Sequence, residues 1–468
     1  MSVNRKAEAG AKAAVEADRR HADDVVAWLD EHREIESLHA AVCDLNGIMR
    51  GKRIPVRQVR RVLDGGIRMP LSAVGVDVWG EDITENPHLY TSGDSDGICA
   101  PTGRGPLPIN WTSRPSALVP LWMFEEDRTP FLVDPRQALA AVVGRYAELG
   151  LTPVVATELE FYLVDAETDE PAPPVSPYTG QRLDSDALLS IDELDDFGDF
   201  FWEVYSECEH QGVPADSATA ENGVGQFEIN LLHVADPLKA ADDATLFKRI
   251  VRGVARKHRM AATFMAKPYG TRSGNGMHVH FSLIDADGRN VFDDGTREGS
   301  PLLANAVAGL LQGMAETTLL FAPHSNSFRR LRPETHAPTS VSWGYENRTT
   351  AIRIPGGDPR ARRIEHRVAG ADANPYLVLA GILGAALYGI ENGLQPPDPV
   401  GGRAYAEKLP KLPADWASAV NAFEDGEMVP QIFDPRLQSL LVACKRQEIA
   451  GFAAIVTDLE FSTYLEVV

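Results

Sequence analysis

An α+β fold of two or three domains is what this sequence predicts, and three observations carry that reading. The chain has 468 residues, more than one typical domain holds. Hydrophobic residues make up 44% of it and charged residues 24%, the balance of a globular protein with a sizeable core. Beyond residue 150, runs that alternate polar and apolar side chains are interleaved with helical segments.

Residues 1–40 are rich in Ala, Glu, Asp, Arg and His and read as an N-terminal helical segment. Residues 41–133 form a second unit of short apolar runs broken by the turns DLNG (44–47) and LDGG (63–66), and its ENPHLYTSGDSDGICAPTGRGPLP stretch reads as loop. Asp134-Pro135 is a helix start, with Asp as N-cap and Pro in the first turn, and the helix ends on Gly150. We place a boundary there, leaving 134–468 as the third and largest unit.

Within that unit TPVVATELEFYLVD (152–165) reads as a strand, followed by a Pro-rich exposed loop and a helix over about 193–211. GQFEINLL (225–232) is a strand, Asp236-Pro237 opens another helix, and AATFMAKPY and GMHVHFSLID are further strands. YLVLAGILGAALYGI (376–390) is shorter than a membrane span and reads as a buried core helix.

The formal charge of -22 argues against broad nucleic-acid or anionic-membrane binding, since phosphates are repelled. Cys43, Cys99, Cys208 and Cys444 are scattered without a CxxC pair, neither a zinc pattern nor a disulfide framework. The first residues lack the apolar core of a signal peptide. The expectation is a cytoplasmic protein.

Side chains two apart on a strand share a face. Glu158, Glu160 and Tyr162 therefore stand opposite Leu159 and Phe161, and Gln226, Glu228 and Asn230 stand opposite Phe227 and Ile229. His278, His280 and Ser282 alternate with Val279 and Phe281; Arg363, Glu365 and Arg367 alternate with Ile364 and His366. Any one of these is an amphipathic strand with a solvated face. Four of them, enriched in Glu, His and Arg, suggest a cluster. Together with Glu221, five carboxylates gathered within a few ångströms repel by roughly 4 kcal/mol per pair at 4 Å, so they ionise together only around cations. Oxygen donors with one imidazole favour Mg²⁺ or Mn²⁺ over zinc, and the set suffices for two ions. Arg330, Arg348, Arg353, Arg363 and Arg367 look like clamps for carboxylate and phosphate oxygens. No GxxxxGK[ST] loop and no GxGxxG fingerprint is present.

Together ELEFYLV (158–164), AENGVGQFEIN (220–230), KPYGTRSGNGMHVHFSL (267–283), NSFRRLRPETHAP (326–338), NRTTAIRIP (347–355) and RRIEHRVAGADANPYL (362–377) resemble the glutamine synthetase superfamily. The resemblance extends over essentially the whole chain. It implies an N-terminal β-grasp domain, a catalytic domain with a curved antiparallel sheet, and a homo-oligomer, a dodecamer of two hexameric rings. It implies one metal site of Glu160, Glu221 and Glu228 and another of Glu158, His278 and Glu365. Gly274, Arg330 and Arg367 then hold substrate glutamate, Arg348 and Arg353 neutralise the transferred phosphate, and His280, Ser282 and Arg363 fall in ATP-binding segments. Asp44 and Asp96 sit where the family places acids that reach a neighbouring subunit.

One departure narrows the substrate. Where glutamine synthetases carry a flap glutamate, PETHAP has His336, so an ammonium pocket loses a fixed negative charge. Taken with DLNGIMRGKRIP, the look is that of γ-glutamylputrescine synthetases and related γ-glutamyl-amide ligases. The implied reaction joins the γ-carboxylate of glutamate to a primary amine, putrescine or another polyamine, through γ-glutamyl phosphate with ATP as co-substrate. Asp44 or His336 would take the amine proton. Ammonium as the acceptor, and an inactive structural relative, are the alternatives.

Overall fold

The computed structural model describes residues 20–86, 93–168, 170–186, 188–333 and 335–468. Two sheets organise these residues. The first holds β1 (Ser37–Cys43), β2 (Met49–Pro55), β3 (Ile67–Pro70), β4 (Asp96–Pro101), β5 (Leu107–Ile109) and β6 (Ser116–Phe124) in the order β2-β1-β6-β4-β3, with β5 on β6. β1 and β2 form an antiparallel hairpin through the DLNG turn, and β1 runs parallel to β6. Gly47 has φ +75° in that turn, a conformation that glycine adopts without steric cost.

The second sheet holds β7 (Thr152–Asp165), β8 (Ala215–Ala220), β9 (Gln226–Leu231), β10 (Met260–Thr263), β11 (Met277–Ile284), β12 (Trp343–Tyr345), β13 (Ile352–Ile354) and β14 (Ile364–His366). Its order is β12-β13-β14-β11-β7-β9-β8, with β10 on β7. The whole is an α+β fold with curved sheets.

Helix starts follow the Asp-Pro signals. Asp134 accepts from the Arg136 amide above the Pro135–Glu148 helix, and Asp236 accepts from Leu238 and Lys239 above Pro237–Lys257. A cap of this kind is worth ~1 kcal/mol. Pro375–Glu391 is buried along nearly its whole length, as its apolar sequence demands. Beneath β7 the Phe161 ring meets Phe200, Phe227, Phe247 and Phe264 at 5.6–6.4 Å between centroids. Each buried aromatic contributes roughly 1.5–3 kcal/mol, and this layer is the floor beneath the polar face. One apolar cluster runs continuously from Val25 to Cys444. The four cysteines are buried and unpaired. No helix among the described residues is long and apolar enough to cross a membrane.

Four expectations are corrected. The N-terminal helical segment stops at residue 31 and β1 begins at Ser37, because LHAAVC is β-patterned and pairs with two neighbours; residues 1–19 lie outside the described residues. The stretch read as loop after residue 85 contains β4 and the start of β5; pairing with β6 overrides its Gly and Pro content, and 87–92 lie outside the described residues. AATFMAKPY is a strand only through Thr263. The helix read over 193–211 is two, Ile191–Asp196 and Gly198–His210.

Candidate active site

Strand register assembles the site. β14, β11, β7 and β9 are consecutive in the second sheet. His278 lies opposite Glu158, Glu228 opposite Glu160, and Glu365 opposite His280. Opposed side chains share a face with Cβ atoms roughly 4.5–5.5 Å apart, so these six residues stand together while Leu159, Phe161, Ile229 and Val279, all fully buried, face the core.

Glu158, His278 and Glu365 each offer a donor atom within 4.8 Å of the others, and Glu160, Glu228 and His278 do the same. The first group has the members of one set that the resemblance implied. In the second, His278 stands where Glu221 was expected. Glu221 follows β8 in a turn, so cross-strand pairing does not fix it, but it lines the same cavity.

The carboxylates divide by their partners. Glu158 receives His280 Nε2 at 2.8 Å and meets His278 Nδ1 at 3.1 Å. Arg363 Nε donates to His280 Nδ1 at 3.2 Å, which leaves the proton on Nε2 and directs it to Glu158. Against the effect of burial, these bonds hold the Glu158 carboxyl well below the usual range. Glu365 is paired with Arg353 at 2.6 Å and with Arg367; burial opposes ionisation, yet the cations draw it down to about 2. Glu160 accepts the Gly276 amide at 2.6 Å.

Glu228 has no ion pair among the described residues. Burial, then Glu160, Glu158 and Glu221, push it up to about 9, and burial with Glu160 pushes Glu221 to about 7. These acids cannot all be charged at neutral pH without added positive charge. Oxygen donors with one imidazole therefore fit divalent cations.

The cavity above them has a volume of about 720 Å³, in the range of small-molecule sites. Its lining includes the acids Glu158, Glu160, Glu221 and Glu228 with His278, and the cations Arg330, Arg348 and Arg367. Arg330 is fixed by donating to the Val368 carbonyl at 2.8 Å. Gly274 is required beneath it, since a Cβ there meets the Ala266 carbonyl at 2.5 Å and Arg330 Cγ at 2.9 Å. His336 lines the cavity and has φ +63°, a strained backbone for a side-chain-bearing residue at the cavity mouth.

Other expected residues stand elsewhere. Arg353, Arg363 and His280 do not line the cavity but bond the acids of the cluster, and Glu365, also outside the lining, keeps its place in the first donor group. Ser282 is farther along β11 and does not line the cavity. Asp44 is fully buried, accepts from the Asn46 and Ile48 amides at 2.9 and 2.8 Å, and is paired with Arg50 at 2.8 Å. Burial raises it to about 6, and its bonds to Asn46, Ile48 and Arg50 organise its own turn. Its expected role as a base, at a neighbouring subunit's site, stays a proposal. Asp96 is exposed at the start of β4, in a cleft with Lys52 and Arg68. Tyr405, given no role from sequence, lines the cavity and donates to the Ala337 carbonyl at 2.9 Å, tethering the His336 segment. Its local sequence carries no signal of this, and neither does that of His233, 6.2 Å from the His280 ring.

A curved sheet with clustered acids and arginines lining one cavity is a site suited to anionic substrates and divalent cations. Residues 132–464 match the family described as glutamine synthetase, catalytic domain. The chain belongs to the glutamine synthetase family and is a ligase. It is 38% identical over 453 residues to the γ-glutamylputrescine synthetase of Escherichia coli, covering 95% of this chain and 94% of that one. It is 32% identical over 444 residues to the γ-glutamylethanolamide synthetase of Streptomyces coelicolor, covering 92% and 93%. A solved GmaS–ADP complex superposes with a TM-score of 0.82 at 28% identity, covering 94% of this chain and 99% of that one.

Proposed function

We propose that the chain joins the γ-carboxylate of glutamate to a primary amine, putrescine or another polyamine, at the expense of ATP. The observation that carries this is the 720 Å³ cavity lined by the clustered acids, by Arg330, Arg348 and Arg367, and by His336. Relatives named for putrescine and ethanolamide products support it.

Arg330 and Arg367 fit the glutamate carboxylates as charge-assisted donors, and the exposed Arg348 fits the transferred phosphate. Two Mg²⁺ or Mn²⁺ ions, held by Glu158, His278 and Glu365 and by Glu160, Glu221 and Glu228, supply positive charge to phosphate oxygens when bound. Arg363 and His280 keep Glu158 oriented, and Arg353 and Arg367 keep Glu365 ionised. The γ-carboxylate attacks the terminal phosphate of ATP, breaking the bond to the β-phosphate and releasing ADP, to give γ-glutamyl phosphate; the amine then attacks the acyl carbon and displaces phosphate. An alkylamine of pKa about 10 is almost wholly charged at neutral pH and must lose a proton first. His336, the imidazole at the cavity mouth, is the group we assign to receive it. Asp96, exposed and outside the cavity of its own chain, is the residue we assign to reach a neighbour's cavity in a homo-oligomer; a dodecamer of two hexameric rings is the assembly we propose.

Phosphate release with glutamate, ATP and a panel of putrescine, ethanolamine, methylamine and ammonium tests the reading. Putrescine is expected to give the highest kcat/KM. Highest kcat/KM with ammonium and none with putrescine would make the protein a glutamine synthetase instead.

A further inference from the structure

A second cavity, of about 440 Å³, lies between the DLNG turn and the Pro237–Lys257 helix. It is lined by Lys248, Arg249, Arg252 and Arg256, with Trp111 and Asp372 on the facing side. Positions 248, 249, 252 and 256 fall on one side of the helix, since residues three and four apart are surface neighbours.

These cations lack carboxylate partners, although their helix finds partners readily elsewhere. Lys239 pairs with Asp243 at 2.6 Å, Arg104 reaches the same Asp243 at 2.5 Å, and Lys257 pairs with Glu203. Lys248, buried, donates only to the neutral Ala373 carbonyl at 2.8 Å. Arg249 meets His39 Nδ1 at 3.4 Å, and its Nε is buried with no partner. Arg252 stacks over Phe264 at 5.1 Å and, like Arg256, is exposed with no ion pair among the described residues. The one carboxylate, Asp372, has an oxygen taken by Ser327 at 2.6 Å. Four cations therefore face one acid.

Gathering like charges around a buried lysine is costly unless an opposite charge arrives. Burial, then Arg252, draw the Lys248 ammonium down to about 7. The chain as a whole has a formal charge of -22, so this row runs against its average. The volume suits a small molecule and is too small for a nucleic-acid strand.

The geometry points to a binding site for a small multivalent oxyanion, of pyrophosphate size or somewhat larger, held by Lys248, Arg249, Arg252 and Arg256. It is separate from the active cavity, with which it shares no lining residue.

Calorimetric titration of the intact protein with inorganic pyrophosphate, in metal-free buffer of fixed ionic strength, tests the site. Saturable binding is expected, retained in Arg348→Ala and weakened at least tenfold in the double variant Arg252→Glu/Arg256→Glu. Arg256→Glu alone, at the exposed end of the row, should give an intermediate loss, which separates loss of the site from a folding defect in the double variant. Three results would overturn the proposal. They are the absence of saturable binding, binding lost in Arg348→Ala but not in the double variant, and a double variant that binds normally but no longer assembles, which would make the row a subunit contact.

Discussion

Two populations of buried acid in this protein behave in opposite ways. Glu448 is fully buried beside Lys445 at 2.8 Å and accepts from Asn46 at 3.1 Å and the Val78 amide at 2.9 Å. Asp242 is held by Arg136 at 3.0 and 3.1 Å and by the Tyr376 hydroxyl at 2.7 Å. Both have their counter-charge inside the chain, and both tie distant segments together. Glu221 and Glu228, half-buried, have no ion pair among the described residues, and burial and the charge of Glu160 drive them toward neutrality. An acid satisfied within the chain is architecture. An acid left unsatisfied beside a cavity is waiting for something the chain does not contain.

That contrast can be broken in four ways. The largest effect should come from Glu158→Gln, which removes a charge fixed by two histidines: kcat should fall by about 10²–10³, the scale of losing one preorganised electrostatic group, while assembly persists. Steady-state phosphate release measures it, and a variant of normal activity would remove Glu158 from the machinery. Next, Glu448→Ala leaves the Lys445 ammonium buried and unpaired, which costs about 3–5 kcal/mol and should lower the denaturation midpoint. The Mg²⁺ dependence of the surviving folded protein should be unaltered.

Removing divalent metal with chelator should lower stability by about 2.7 kcal/mol relative to metal at a hundredfold its dissociation constant. Thermal denaturation reads this, and the increment should vanish in Glu160→Gln/Glu228→Gln. The remaining test is on pH. Glu228 rises from an ordinary 4.5 to about 9 in the folded chain, so between those values the folded state holds a proton that the unfolded state has released. Stability of the metal-free protein should then fall as pH rises from about 5 to 9, by at most ~1.4 kcal/mol per unit. Metal displaces that proton, so added Mg²⁺ should flatten the slope. A metal-free slope of the opposite sign would show that Glu228 is already neutralised.

Much of this was legible in the sequence. β7 runs over the residues its alternation marked, and Glu158, Glu160, Glu228, His278 and Glu365 share a face because a period of two is a local property of the backbone. The Asp-Pro helix starts are local too. What was not legible is long-range. Asp44 looks like a free turn acid, yet Arg50 and two amides enclose it. Glu221 is in sequence beside the cluster but outside the tight donor groups, because a turn residue has no register. Tyr405 reaches the His336 segment across nearly seventy residues of sequence. The cationic cavity depends on which helix face meets the DLNG turn, and no local pattern states that.

The sequence by itself determined the four polar strand faces, their family likeness and their need for external positive charge, since alternation and like-charge repulsion need only residue identities. Tertiary structure alone decided that those four strands are neighbours and in which register. It also decided which buried acids found a cation in the chain, because strand order and side-chain pairing are set by contacts between segments far apart in sequence.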